Sequence, residues 1–129
     1  MKKRFGFEIR TPPTLTCINN TENQMDNFEN NRKSWNELTT LHEKSSFYDV
    51  DSFKKGKTSL KDIEIEELGD IRGKRILHLQ CHFGLDTLSL ARQGAEVVGV
   101  DISDTSIQKA NELSGELGVS ARFVCSNIY

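Results

Sequence analysis

A turn and a carboxylate in the middle of this chain have the chemistry to hold a nucleoside-bearing cofactor. The turn is Gln80-Cys81-His82-Phe83-Gly84, and the carboxylate is Asp101. A glycine lets backbone approach a bound molecule closely, and an ionised aspartate presents two acceptor oxygens. To act on one ligand, the two must lie at the same edge of the fold.

The sequence between them is built to put them there. Arg75 to Leu79 is short, apolar and bounded by Gly73, as a buried strand would be. Leu85 to Gln93 reads as a helix, with Leu85, Leu88 and Ala91 on one face and Gly94 to end it. Ala95 to Val100 is a second strand that stops on Asp101. Strand, turn, helix and strand form a βαβ unit whose parallel strands finish on the same edge. Open α/β sheets bind their ligands at that edge.

The whole chain has 129 residues and a net charge of −2, enough for one modest domain with a core. Lysine and arginine are scattered, so no basic face argues for nucleic acid. The basic start MKKRFGFEIR lacks the apolar run of a signal peptide, because Glu8 and Arg10 interrupt it. No stretch approaches the length needed to cross a bilayer. Cys17, Cys81 and Cys125 show no framework spacing, and reduced thiols in a cytoplasmic protein are the simplest reading.

Residues 1–24 are polar and turn-rich, and read as a disordered leader or an over-called reading frame ahead of Met25. Residues 25–70 read as a helical extension. Phe28 to Lys44 carries an apolar stripe of Phe28, Trp35, Leu38 and Leu41 or His42. Ser45 to Thr58 is a loop with Phe47, Tyr48 and Phe53, which either packs on the surface or closes as a lid. Ser59 to Leu68 is helical again, with Ser59 as N-cap and Gly69 as its end. Residues 71–129 read as a partial cofactor-binding domain. Beyond the βαβ unit, Asp104 to Leu117 is a helix capped by Ser103 and closed by Gly118, with Ile107, Ala110, Leu113 and Leu117 inward. Ala121 to Cys125 is a third strand.

The runs LHLQCHFG, DTLSLA, the GA before the second strand, GVDIS and FVCSNIY carry a resemblance. Residues 28–129 resemble the N-terminal part of a class I S-adenosylmethionine-dependent methyltransferase, of a bacterial-type subgroup whose loop reads LQCHFGLDTLSLA. The family's acidic-x-Gly-x-Gly-x-Gly pattern falls here on His78, Gln80, His82 and Gly84, so only the last glycine survives. The resemblance implies a Rossmann-like α/β fold with an N-terminal helical extension, S-adenosyl-L-methionine as cofactor, and methyl transfer to an acceptor of unknown class. It implies that Gly84 lets backbone approach the methionine part, that Asp101 grips both ribose hydroxyls, and that Ile102 lies against the adenine. Asn127 stands where relatives have an aspartate beside the adenine amino group. Gln80 and His82 add hydrogen-bonding side chains where relatives have only backbone. Either they reach the cofactor's amino-acid end, His82 as an imidazolium, or they tie the loop to nearby backbone.

Two rivals share these residues. A nicotinamide-dinucleotide oxidoreductase needs glycines where Gln80, His82 and Leu85 stand, and histidine is too bulky for pyrophosphate to touch backbone. A metal site at His78, Cys81 and His82 fails because strand geometry points His78 away and no second cluster exists. His78 reads instead as a satisfied core histidine.

The resemblance also implies a seven-stranded sheet in the order 3-2-1-4-5-7-6, of which this chain supplies three strands and is truncated after the third. Strand one would then present a bare edge, with self-association through it the consequence. An inactive fragment is the alternative function on that ground. Substrate wall and general base belong to later segments, so no catalytic residue is named; Tyr48 and His42 are the ones expected to face the methyl group.

Overall fold

The computed structural model describes residues 20–129. The leader expected over residues 1–24 lies outside that range, except for the stretch from Asn20 to Gln24, which the first helix takes in. The elements are α1 (Asn20–Glu43), α2 (Val50–Lys54), α3 (Asp62–Leu68), β1 (Arg75–Leu79), α4 (Leu85–Arg92), β2 (Glu96–Asp101), α5 (Asp104–Leu117) and β3 (Arg122–Cys125). The three strands form one parallel sheet in the order β1-β2-β3. His78 pairs with Gly99, and Asp101 with Cys125.

Helices α4 and α5 supply the core on one sheet face. Phe83, Leu85, Leu88 and Leu113 cluster with Phe53, and Phe123 of β3 packs against them. Leu90, Ala95 and Val97 cluster with Leu60 and Ile71. Leu88 has no accessible surface, and burying such a side chain contributes about 1.5–3 kcal/mol. Ser103 caps α5 as expected, its Oγ accepting from Ser106 N–H at 3.0 Å, and Gly118 closes that helix at φ 63°. His78 is paired as expected, its Nδ1 2.7 Å from Thr87 Oγ1 of α4.

The extension departs from the sequence pattern in three ways. The apolar stripe of α1 is not its packing face: Trp35, Leu38 and Leu41 are exposed, while Thr39 is fully buried. Helix α1 docks through polar groups instead. Asn36 Nδ2 donates to Asp104 Oδ1 at 2.8 Å, Thr39 Oγ1 meets Ser106 Oγ at 2.6 Å, and Lys109 Nζ lies 3.3 Å from Glu43. The uncapped N–H groups and the cap of α5 offer more hydrogen-bonding partners than apolar surface. The loop expected over 45–58 contains α2, whose Phe53 is core, whereas Phe47 points outward. Ser59 does not cap α3, which starts at Asp62 after Lys61. Its hydroxyl donates instead to Asp86 Oδ1 at 2.6 Å and sits 2.9 Å from Ser89 Oγ, strapping the segment to α4.

On the other sheet face Leu77 and Leu79 are 62% and 48% exposed, paired with half-buried Val98 and Val100. Among the described residues no strand pairs with the outer edge of β1. Apolar side chains on an open edge favour association with another strand. Leu77→Lys/Leu79→Lys is accordingly expected to lower the self-association of the isolated chain in sedimentation velocity without altering ligand affinity.

Candidate functional site

The carboxyl ends of β1 and β2 meet, as the βαβ reading requires. His82 N–H donates to Asp101 Oδ2 at 2.8 Å, and Ser103 N–H donates to Asp101 Oδ1 at 2.9 Å. Asp101 is 9% exposed and each of its oxygens has one backbone partner, which leaves each a second lone pair. Turn and acid are thus one hydrogen-bonded unit.

The turn keeps the backbone of a glycine-rich loop without its glycines. Gln80, His82 and Gly84 have φ of 55°, 54° and 85°, all left-handed. A non-glycine residue there costs about 1–2 kcal/mol, so something must hold Gln80 and His82 in place. For His82 the holders are visible. Its Nε2 lies 3.0 Å from His42 Nδ1 and its Nδ1 lies 3.2 Å from Ser106 Oγ. Both ring nitrogens are turned to protein side chains, rather than to the nearby backbone that the structural reading named. Burial, and secondly the neighbouring His42, hold its pKa below the ordinary imidazole value, with Asp101 opposing. The imidazolium expected to meet a carboxylate is therefore disfavoured.

Gln80 has no such holder. It is exposed, lines the cavity described next, and its side chain makes no hydrogen bond among the described residues. Gln80→Gly is expected to leave the urea midpoint unchanged or raised by at most about 1 kcal/mol of stability, since relieved strain offsets added unfolded-state freedom. Ligand affinity in the cavity is expected to fall several-fold, read by calorimetry.

A cavity of about 420 Å³ opens at this edge, within the range of small-molecule sites. Gln80, His82, Asp101, Ile102 and Asn127 all line it, so the structure brings five of the six expected residues together. Gly84 is the sixth and is not there. A Cβ on Gly84 would lie 2.8 Å from Phe123 Cε1 and 3.0 Å from Ala110 Cβ. Its glycine is required by packing of α4 against β3 and α5, and Gly84 lines a neighbouring cavity instead. Asn127 has its Oδ1 accepting from Tyr129 N–H at 3.1 Å.

The far wall comes from residues that sequence reasoning did not assign: Phe28, Asn31 and Trp35 of α1. The signal was available in the polar residues Asn36, Thr39 and Glu43, spaced to share one face of α1. That face docks on α5 and turns Trp35 to the cavity. Tyr48 also lines it, its ring centroid 5.0 Å from His42 and 5.6 Å from His82. Cys81 is buried beneath, its thiol pushed up to about 12 by burial and by Asp101, and so stays protonated. Among the described residues no three His, Cys, Asp or Glu side chains gather as a metal site would need.

The His42–His82 contact gives a pH signature. One nitrogen must donate and the other accept, so two imidazolium rings cannot keep it. Because the folded pKa of His82 is depressed, its contribution is fully present above the ordinary imidazole value of 6.5 and is lost as pH falls through the lowered one. The thermal midpoint is expected to drop on acidification below about pH 6.5, above the range in which the lowered carboxyls of Asp49, Asp70 and Asp104 titrate. His82→Asn is expected to flatten that part of the profile.

Residues 76–129 match the family described as "Methyltransferase domain". Over these residues the chain resembles the class I S-adenosylmethionine-dependent methyltransferases. The chain is 36% identical over 81 residues to the magnesium-protoporphyrin O-methyltransferase of Rhodobacter capsulatus, covering 62% of this chain and 36% of that protein. It is 28% identical over 105 residues to the ubiquinone biosynthesis O-methyltransferase of Psychrobacter cryohalolentis, covering 76% and 40%. Among solved structures it is similar to the PH0226 protein of Pyrococcus horikoshii OT3, at 34% identity and a TM-score of 0.45, covering 50% and 28%. The chain thus spans well under half the length of these curated relatives. No helix among its described residues is long and apolar enough to cross a membrane.

Proposed function

We propose that this chain supplies the S-adenosyl-L-methionine-binding part of a cytoplasmic methyltransferase. The observation that carries the reading is the convergence of Gln80, Asp101, Ile102 and Asn127 on one cavity at the carboxyl edge of a parallel sheet. The donor set fits an adenosine. A buried carboxylate with free lone pairs suits the ribose hydroxyls, and Ile102 with Phe28 and Trp35 offers apolar surface to a purine. The amide of Asn127 can serve the adenine amino group only by sharing the oxygen that now accepts from Tyr129. Gln80, strained and unpartnered, is left to reach the amino-acid end.

When bound, the cofactor supplies an electrophilic methyl group on sulfur. The residues of this chain orient the nucleoside, shield it from water under α1, and hold the turn through His82. No residue is assigned as general base. The acceptor, and any pairing of the open β1 edge with another chain, belong to the whole protein.

The test is calorimetric titration of S-adenosylhomocysteine into the purified protein, with Asp101→Ala as control. Micromolar binding lost in the variant supports the reading. Absence of heat from the unmodified protein would favour an inert fragment.

A further inference from the structure

His82 occupies a backbone conformation that a glycine takes without strain, at φ 54°, and its N–H ends on Asp101 Oδ2 at 2.8 Å. The Asp101 carboxylate is therefore only as well placed as the His82 backbone. Around the imidazole, Trp35, Tyr48 and Phe83 stand edge-on, with ring centroids 5.9, 5.6 and 4.5 Å away. They fill the space beside the ring. Its orientation is fixed by the hydrogen bonds at its two nitrogens.

Those bonds belong to a longer circuit that begins and ends on α1. His42 Nδ1 lies 3.0 Å from His82 Nε2, and His82 Nδ1 lies 3.2 Å from Ser106 Oγ. Ser106 Oγ lies 2.6 Å from Thr39 Oγ1, which donates to Trp35 O at 2.7 Å. This last member sets the direction of every proton. A carbonyl only accepts, so Thr39 spends its one proton on Trp35 and accepts from Ser106. Ser106, its own proton spent, accepts from His82 Nδ1–H. A neutral His82 then has a bare Nε2, and His42 donates to it through Nδ1–H. Both tautomers are settled by one backbone oxygen. Trp35 lines the cavity and His42 does not, so His42 stands behind the wall that His82 forms.

We infer that His42 is a positioning residue for the cavity: it holds His82 in the left-handed turn and, through the His82 N–H, holds the Asp101 carboxylate in place. The inference rests on the reading that this cavity takes the S-adenosyl cofactor. It also makes the site sensitive to acid. A proton on His82 Nε2 would face His42 Nδ1–H, donor against donor, and open the circuit. The titratable groups around His82 are His42 of α1, Tyr48, Cys81 of the turn and Asp101 of β2. On α5 the nearby charges are engaged elsewhere, Asp104 by Asn36 and Lys109 by Glu43 and Glu112. Burial first, then His42, hold the His82 pKa below the ordinary value, and Asp101 opposes them. The circuit is thus complete above about pH 6.5 and is lost as pH falls through the lowered value.

The experiment measures S-adenosylhomocysteine affinity of the full-length protein by calorimetry, at about pH 7.5 and about pH 5.5, on either side of the ordinary imidazole value. At the higher pH His42→Leu should weaken binding about five- to tenfold. His42→Asn should stay within about twofold of the unmodified protein, because the asparagine amide nitrogen falls where Nδ1 stands. His42 is half-buried, so both variants fold. In a His82→Gly background His42→Leu should cost nothing further, since glycine holds the left-handed turn unaided. The loss of affinity on acidification should disappear in that background as well. Unaltered affinity in His42→Leu, or a cost that persists beside His82→Gly, overturns the inference and leaves the cofactor reading standing. So does a His42→Asn protein that binds no better than His42→Leu. Failure of S-adenosylhomocysteine to bind the unmodified protein would overturn the cofactor reading, and this inference with it.

Discussion

Asp101→Ala is expected to remove S-adenosylhomocysteine binding from the calorimetric range, a loss of at least about 100-fold, and to destabilise the chain as well. Two effects add. Charge-assisted hydrogen bonds are each worth about 1.5–3 kcal/mol, and a ribose would lose two of them. Alanine also strands two donors, His82 N–H and Ser103 N–H, which now end on the carboxylate. A buried donor without a partner costs about 1–3 kcal/mol. The side chain therefore does two jobs, and Asp101→Asn separates them. Its amide keeps one acceptor oxygen but turns an NH2 toward one of the two backbone donors. Stability should fall by less than in the alanine variant, while the affinity loss stays large. An Asp101→Ala protein that binds S-adenosylhomocysteine like the unmodified one would remove the carboxylate from the site.

Gly84→Ala is expected to cost more stability than any other single methyl group added to this turn, about 2–4 kcal/mol. The φ of 85° alone costs an alanine about 1–2 kcal/mol. The new Cβ would also sit 2.8 and 2.9 Å from two atoms of the Phe123 ring. Overpacking of a filled core costs a further 1–3 kcal/mol or so. The ring cannot retreat easily, because Phe123 also closes on Gly99, where a Cβ would lie 2.9 Å from both Cys81 Sγ and Phe123 Cδ1. Urea unfolding measures the effect. Phe123→Leu in the same chain is expected to recover part of the steric share and none of the backbone share. An unchanged midpoint in Gly84→Ala would mean that α4 and β3 do not pack as described.

Local pattern was enough to determine the βαβ unit. The apolar run of β1, the spacing of Leu85 and Leu88, and the cap of Ser103 on α5 are short-range physics, and their elements form where those signals stand. Parallel strands must finish on one edge, so the meeting of the turn with Asp101 followed from connectivity alone. The family resemblance was also legible, because it lies in the contiguous residues 76–129.

Tertiary structure decided the matters that depend on distant partners. Periodicity marked Phe28, Trp35, Leu38 and Leu41 or His42 as the inner face of α1, but Asn36 and Thr39 found hydrogen-bonding partners at the start of α5, which turned Phe28 and Trp35 to the cavity and left Leu38 and Leu41 exposed. The need for Gly84 reads from sequence as approach to a ligand; the ring of Phe123, brought over from β3, adds a packing reason that no local pattern contains. Gln80 and His82 look like losses from a glycine pattern, yet the backbone keeps the same left-handed turn. A sequence records residue types along one dimension. The contacts that bend α1 onto the turn, turn both nitrogens of His82 inward and leave Gln80 facing the cavity arise between segments that are remote in the chain, and no local period encodes them.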